Sequence, residues 1–124
     1  MAPFAAEIIG TALLITLGNG VVANVVTRKS KGENGGWIVI TLGWAIAVFV
    51  AVYTAASSSG AHLNPAVTIG LAAIGKFEWN LVPLYIAAQF IGAMLGAIAV
   101  WCSYRQHINE TPDPELQRAV FCNA

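Results

Sequence analysis

From Asn34 to Gly75 the chain carries no Lys, Arg, Asp or Glu. Such a run is too long for one membrane-crossing helix, which needs about 20 apolar residues. It divides at Gly60-Ala61-His62-Leu63-Asn64-Pro65-Ala66-Val67. Pro65 suits a first helical position, where a missing N–H and a fixed φ do no harm, and Asn64 suits the cap before it. The expected pieces are a span over 37–56, a small-residue loop over 57–63 and a half-length helix from Pro65 to about Gly75. A helix starting at bilayer depth after irregular backbone is tolerated only where that backbone is buried in protein or lines a polar cavity. The pattern points to a pore or a substrate site at the membrane midplane.

Composition agrees with a membrane setting. The chain has 124 residues, 57% of them hydrophobic and 10% charged, against about 25% charged in an ordinary soluble domain. The formal net charge is zero, so there is no electrostatic case for nucleic acid. Cys102 and Cys122 are too few for a disulfide scaffold and read as free thiols. A first span is expected over 4–27, since residues 8–27 are uncharged and no basic leader precedes them. Residues 28–36 form a polar loop, 76–80 a polar link, and 81–104 a third span with Pro83 in its first turn. Ala88, Gly92 and Gly96 put a small residue at every fourth position, a face on which another helix packs closely. In the polar tail, 105–124, Pro112 and Pro114 are expected to prevent helix. The expected fold is an all-α membrane protein of three spans and one re-entrant half-helix, at most one domain. A positive-inside count over Arg28, Lys29, Lys31, Arg105 and Arg118 against Lys76 expects an external N-terminus.

Several residues need a reason. Glu7 is an acid at the edge of the first span; it either handles protons or cations, or accepts from backbone N–H groups stranded by the non-helical loop. Gln89 offers a donor and an acceptor to the same kind of backbone, or bonds between helices. His62, with no Cys, Asp or Glu close in sequence, reads as structural, so no metal or cofactor is expected. Ser57, Ser58 and Ser59 lack a His-Asp partner arrangement, which argues against nucleophilic catalysis. Trp37 suits an interfacial belt. Trp44 and Val48 share a helical face that meets either lipid or whatever the loop lines.

Glu7-Ile8-Ile9-Gly10-Thr11, Gly60-Ala61-His62-Leu63-Asn64-Pro65-Ala66-Val67 and Gln89-Phe90-Ile91-Gly92-Ala93, in that order and spacing, resemble the aquaporins, or major intrinsic proteins. The likeness covers nearly the whole chain. Trp44, the wording Gly60-Ala61-His62-Leu63 and the tail from Glu110 to Cys122 resemble the aquaglyceroporin branch in particular.

The resemblance implies six spans and two half-helices built from inverted repeats, of which this chain is the N-terminal half. It implies two Asn-Pro-Ala boxes meeting at the centre, four subunits each with its own pore, the cell (inner) membrane and a cytoplasmic N-terminus. The partners implied are glycerol and water, the lipid bilayer and a C-terminal half carrying the second box. Carried onto this sequence, the carbonyls of Gly60, Ala61 and His62 form a polar ladder and the Asn64 amide donates to a passing hydroxyl. Trp44, Val48 and Leu63 supply the apolar wall, while Glu7, His62, Gln89 and Pro65 hold the loop in shape. A line of donors and acceptors replaces hydration, and the positive end of the half-helix repels cations. The chain lacks a second box, a filter Arg and a fourth to sixth span, so a piece of a longer channel is expected. The leading reading is passive conduction of glycerol, small uncharged solutes and water, with no chemistry. A water-only channel, a proton-coupled carrier using Glu7 and a non-conducting packing piece remain as alternatives.

Overall fold

A computed structural model describes residues 1–122. Five helices follow in chain order: α1 (Pro3–Val26), α2 (Trp37–Ser59), α3 (Pro65–Ala73), α4 (Val82–Asn109) and α5 (Pro114–Ala119), with a 3-10 turn over Trp79–Leu81 before α4. Three of them, α1, α2 and α4 with its preceding turn, are long and apolar enough to cross a membrane. At about 1.5 Å per residue, the nine residues of α3 reach less than halfway through a hydrocarbon core of about 30 Å.

The bundle is organised by α1, which packs against both α2 and α4. Small residues let the backbones close up. A β-carbon at Gly92 would collide with the carbonyl oxygen of Ile8, and one at Gly96 would lie 2.7 Å from that of Ala12. The α2 side uses the same device: Ala47, Ala51, Ala55 and Ser59 form a buried stripe at every fourth position. The outward faces stay apolar, with Trp37 77% and Tyr53 81% exposed. Charged side chains occupy the connections and helix ends, and Glu7 alone is carried into the packed interior.

The helix ends have local causes. Pro3 and Pro65 occupy first-turn positions, and the Asn64 side chain accepts from the Ala66 N–H at 2.8 Å. At the far end of α3, Gly75 takes φ +72°. There the Lys76 N–H reaches the Leu71 carbonyl (2.8 Å) and the Gly75 N–H that of Ala72 (3.1 Å), the paired bonds of a Schellman stop.

Three expectations are corrected. The second span does not end at 56: α2 continues through Ser57, Ser58 and Ser59. It stops only where Gly60 adopts φ +84° and its N–H caps Ala56, a conformation that glycine adopts without steric penalty. The third span runs to Asn109 and not 104, because Tyr104 and Ile108 still find partners in a cluster built on Ala23, Val100 and Val120. The tail is not helix-free. Pro114 begins α5, and Asp113 before it accepts from the Glu115 N–H at 2.8 Å. Proline blocks a helix interior but fits a first turn, so its position decides its effect.

Candidate functional site

Between Ser59 and Asn64 the backbone takes a shape that most residues avoid. Gly60, Ala61 and Leu63 all have positive φ, +84°, +52° and +54°. For Ala61 and Leu63 the left-handed region costs about 1–2 kcal/mol each. Glu7 offsets this. Its Oε1 accepts from the Ser59 hydroxyl (2.6 Å) and the His62 N–H (3.0 Å), and its Oε2 from the Leu63 N–H (2.8 Å) and Gln89 Nε2 (2.8 Å). Four hydrogen bonds at about 1 kcal/mol each match the strain of two residues. They also spare two N–H groups the larger penalty of burial without a partner. Glu7 is fully buried.

A second ring of contacts braces the first. The Ser59 hydroxyl oxygen accepts from the Ala61 N–H at 3.0 Å, and the Tyr85 hydroxyl donates to the Ser59 carbonyl at 3.0 Å. Gln89 Nε2 also reaches Thr68 Oγ1 at 2.9 Å, tying α4 to α3. His62 Nδ1 lies 3.1 Å from that same oxygen, with its ring against Phe77 (centroids 4.6 Å apart) and Tyr85 (4.9 Å). Thr68 and Tyr85 were not among the residues singled out from sequence, and Ser59 was weighed there only as a nucleophile. The i+4 stripe ending at Ser59 was the available signal; Thr68 and Tyr85 carry none.

With the N–H groups turned towards Glu7, the carbonyls of Gly60, Ala61, His62 and Leu63 accept no hydrogen bond among the described residues. The Asn64 Oδ1 is used by its own cap, while its Nδ2 has no acceptor among those residues. Asn64 is exposed.

Trp44, Leu63, Asn64, Pro65 and Gln89 come together around one cleft of about 320 Å³ at mid-bundle. Gly60, Ala61 and His62 do not line it; they sit on the α2 side of the loop, beyond Leu63. Val48 is 47% exposed and also does not line the cleft. It stands one helical turn from Trp44, on the same face of α2. The Trp44 ring is held in place by Gly18 of α1, where any β-carbon would collide with the six-membered ring. The cleft also meets two buried polar atoms with no hydrogen-bond partner, Thr11 Oγ1 and Gln89 Oε1. Buried atoms of that kind are rare in native proteins. No group of three or more His, Cys, Asp or Glu side chains suited to a metal exists among the described residues.

The cleft thus offers one amide donor beside apolar walls, with a row of peptide acceptors in the adjoining loop. That equipment can replace the hydration of a small hydroxylated solute and hold its carbon side.

The chain is similar to known proteins. The family model "Major intrinsic protein" matches residues 1–122. A probable glycerol uptake facilitator protein of Thermotoga maritima is 59% identical over 122 residues, which cover 98% of this chain and 52% of that protein. The glycerol uptake facilitator protein of Bacillus subtilis is 49% identical over 98% of this chain and 44% of its own length. Among solved structures, the aquaglyceroporin from Plasmodium falciparum superposes with a TM-score of 0.79 at 40% identity, over 89% of this chain and 45% of that one. The chain spans about half the length of the curated relatives it matches.

Proposed function

The chain belongs to the major intrinsic protein family, and on that premise we propose that it supplies the N-terminal half of a passive channel for glycerol, other small uncharged solutes and water. The observation that carries this reading is the cleft of about 320 Å³ at Asn64, whose lining also includes Trp44 and Leu63. A three-carbon polyol has the matching chemistry, hydroxyls along one edge and C–H groups along the other. Asn64 donates to a passing hydroxyl, the carbonyls of Gly60, Ala61 and His62 continue the acceptor line, and Trp44 with Leu63 holds the carbon face. Val48 extends that apolar wall only where another segment covers α2. The positive end of α3 at Asn64 disfavours cations.

The remaining parts of the proposal follow the family. A second half with its own Asn-Pro-Ala box completes the pore, four such channels assemble in the cell membrane, and the N-terminus lies in the cytoplasm. Glu7, Gln89, His62 and Pro65 serve the loop and not the solute. All four donors around Glu7 come from the loop or its supports, which favours a structural role over proton transfer.

Stopped-flow shrinkage of proteoliposomes holding the full-length channel tests the reading. Glycerol permeability is expected well above that of empty vesicles and unchanged when the proton gradient is collapsed. Permeability equal to empty vesicles would end the proposal; dependence on the gradient would favour a coupled carrier. Trp44→Phe is expected to alter the glycerol-to-water ratio.

A further inference from the structure

The face of α1 turned away from the Asn64 cleft carries a groove of its own. Thr11 lines the cleft, and Gly20 follows about two and a half helical turns later, on the opposite side of the helix. There a groove of about 350 Å³ opens between α1 (Thr16, Gly20, Asn24) and α4 (Val100, Ser103, Tyr104). Nothing lies within 4 Å of a β-carbon at Gly20, so the floor of the groove is open. Both helices are long and apolar enough to cross a membrane, so lipid borders an outward groove between them.

The groove changes character along its length. Leu17, Gly20, Val21 and Val100 make the deeper part apolar. Asn24, in the last turn of α1, and Tyr104 bring an amide and a phenol hydroxyl with no hydrogen-bond partner among the described residues. Polar groups at the edge of a hydrocarbon core are costly unless something polar meets them. Beyond them the rings of Tyr104 and His107, 5.9 Å apart, lead to a hollow of about 360 Å³ lined by His107, Lys29 and Glu110. Lys29 Nζ donates to Glu110 Oε2 at 2.6 Å, and both side chains are exposed. An ammonium has three donors, so Lys29 keeps N–H groups free, as Glu110 keeps Oε1.

We propose that this groove seats a phospholipid with an ethanolamine headgroup. An acyl chain lies over Gly20, the glycerol esters meet the Asn24 amide and the Tyr104 hydroxyl, and the headgroup rests on the Lys29–Glu110 pair. The phosphate takes the free N–H groups of Lys29, and the primary ammonium donates to Glu110. Charge decides between headgroups. Choline has no N–H to give the carboxylate, and phosphatidylglycerol brings it no cation at all. The site depends on the bundle crossing a bilayer and not on what the channel conducts.

Native mass spectrometry of the full-length protein tests this, with phosphatidylethanolamine, phosphatidylcholine and phosphatidylglycerol of identical acyl chains. The ethanolamine lipid is expected to be retained about two- to fivefold more than either of the others, the scale of an exposed ion pair. Glu110→Gln, at an exposed position, is expected to remove its advantage over the choline lipid. Gly20→Leu is expected to lower its retention, because the new side chain extends into the open groove and leucine suits a helix better than glycine. Equal retention of the three lipids by the parent would overturn the site, and so would a preference that survives either substitution. A Gly20→Leu protein that loses subunits instead of lipid would also overturn it and give the groove to a second copy of the chain.

Discussion

The backbone N–H of Leu63, at φ +54°, donates to Glu7 Oε2 over 2.8 Å, although the two residues stand 56 apart in sequence. That bond holds a branched, bulky residue in a left-handed conformation at the point where α3 begins. It also brings the Leu63 side chain against α1, where Gly10 makes room for it. Without an acceptor at Glu7 the loop would relax towards ordinary backbone, and Asn64 would leave the cleft.

Glu7→Gln tests this directly. The amide keeps one acceptor oxygen but presents an NH₂ to groups that are themselves donors. Leaving one or two buried donors unmet is expected to destabilise the protein by about 3 kcal/mol. Thermal unfolding in detergent checks the magnitude. Hydrogen exchange at His62 and Leu63 checks the site, since both amides should lose protection while those of α4 beyond Gly96 keep theirs.

Gly18→Ala should displace the Trp44 ring. Overpacking of this kind costs about 1–3 kcal/mol, and the ring has the cleft to move into. Glycerol permeability of the full-length channel should drop more than its stability does. Gly20→Ala is the control, because nothing lies within 4 Å of a β-carbon there. Equal effects from the two substitutions would remove Gly18 as the seat of the indole.

Thr11→Val replaces a buried hydroxyl that has no partner among the described residues. The shape is kept and no hydrogen bond within the protein is broken, so stability should stay within about 1 kcal/mol of the parent or rise. A larger loss in the unfolding midpoint would mean that the hydroxyl is bonded by something occupying the cleft.

Two carboxyls outside the spans give a pH dependence. The Lys29 N–H and then the Arg28 guanidinium hold Glu33 below its ordinary value of 4.5, and the Lys29 ammonium does the same for Glu110. A carboxyl lowered by folding contributes stability above its unfolded value, and that contribution disappears as pH falls through the lowered folded value. The contacts Arg28–Glu33 (2.9 Å) and Lys29–Glu110 (2.6 Å) should therefore persist at neutral pH and loosen as pH falls through the lowered folded values. Chemical shifts of the Lys29 and Glu110 side chains across that range should show it. Both pairs are exposed, so the global unfolding midpoint should barely respond.

Much of this protein is written locally. Charge-free runs of sufficient length specify α1, α2 and α4, and Asn64 followed by Pro65 specifies the start of α3 within three residues. The Gly92 and Gly96 spacing announces the close approach of α4 to α1 because only small residues permit it. Local pattern was less informative for proline in the tail, where the same residue that stops a helix also starts α5.

What the tertiary structure alone decided is which apolar faces are inside. A helix in lipid is apolar on every side, so periodicity does not say whether Trp44 meets lipid or the bundle; packing seats its ring against Gly18 and the cleft. Sequence alone leaves the two readings of Glu7 open for the same reason. Its partners lie 52 to 82 residues away on α2, the loop and α4, and only the packing of those helices around α1 brings four donors to one carboxyl. Hydropathy and capping act over one turn of chain; hydrogen-bond satisfaction in a buried loop is settled only once the helices have met.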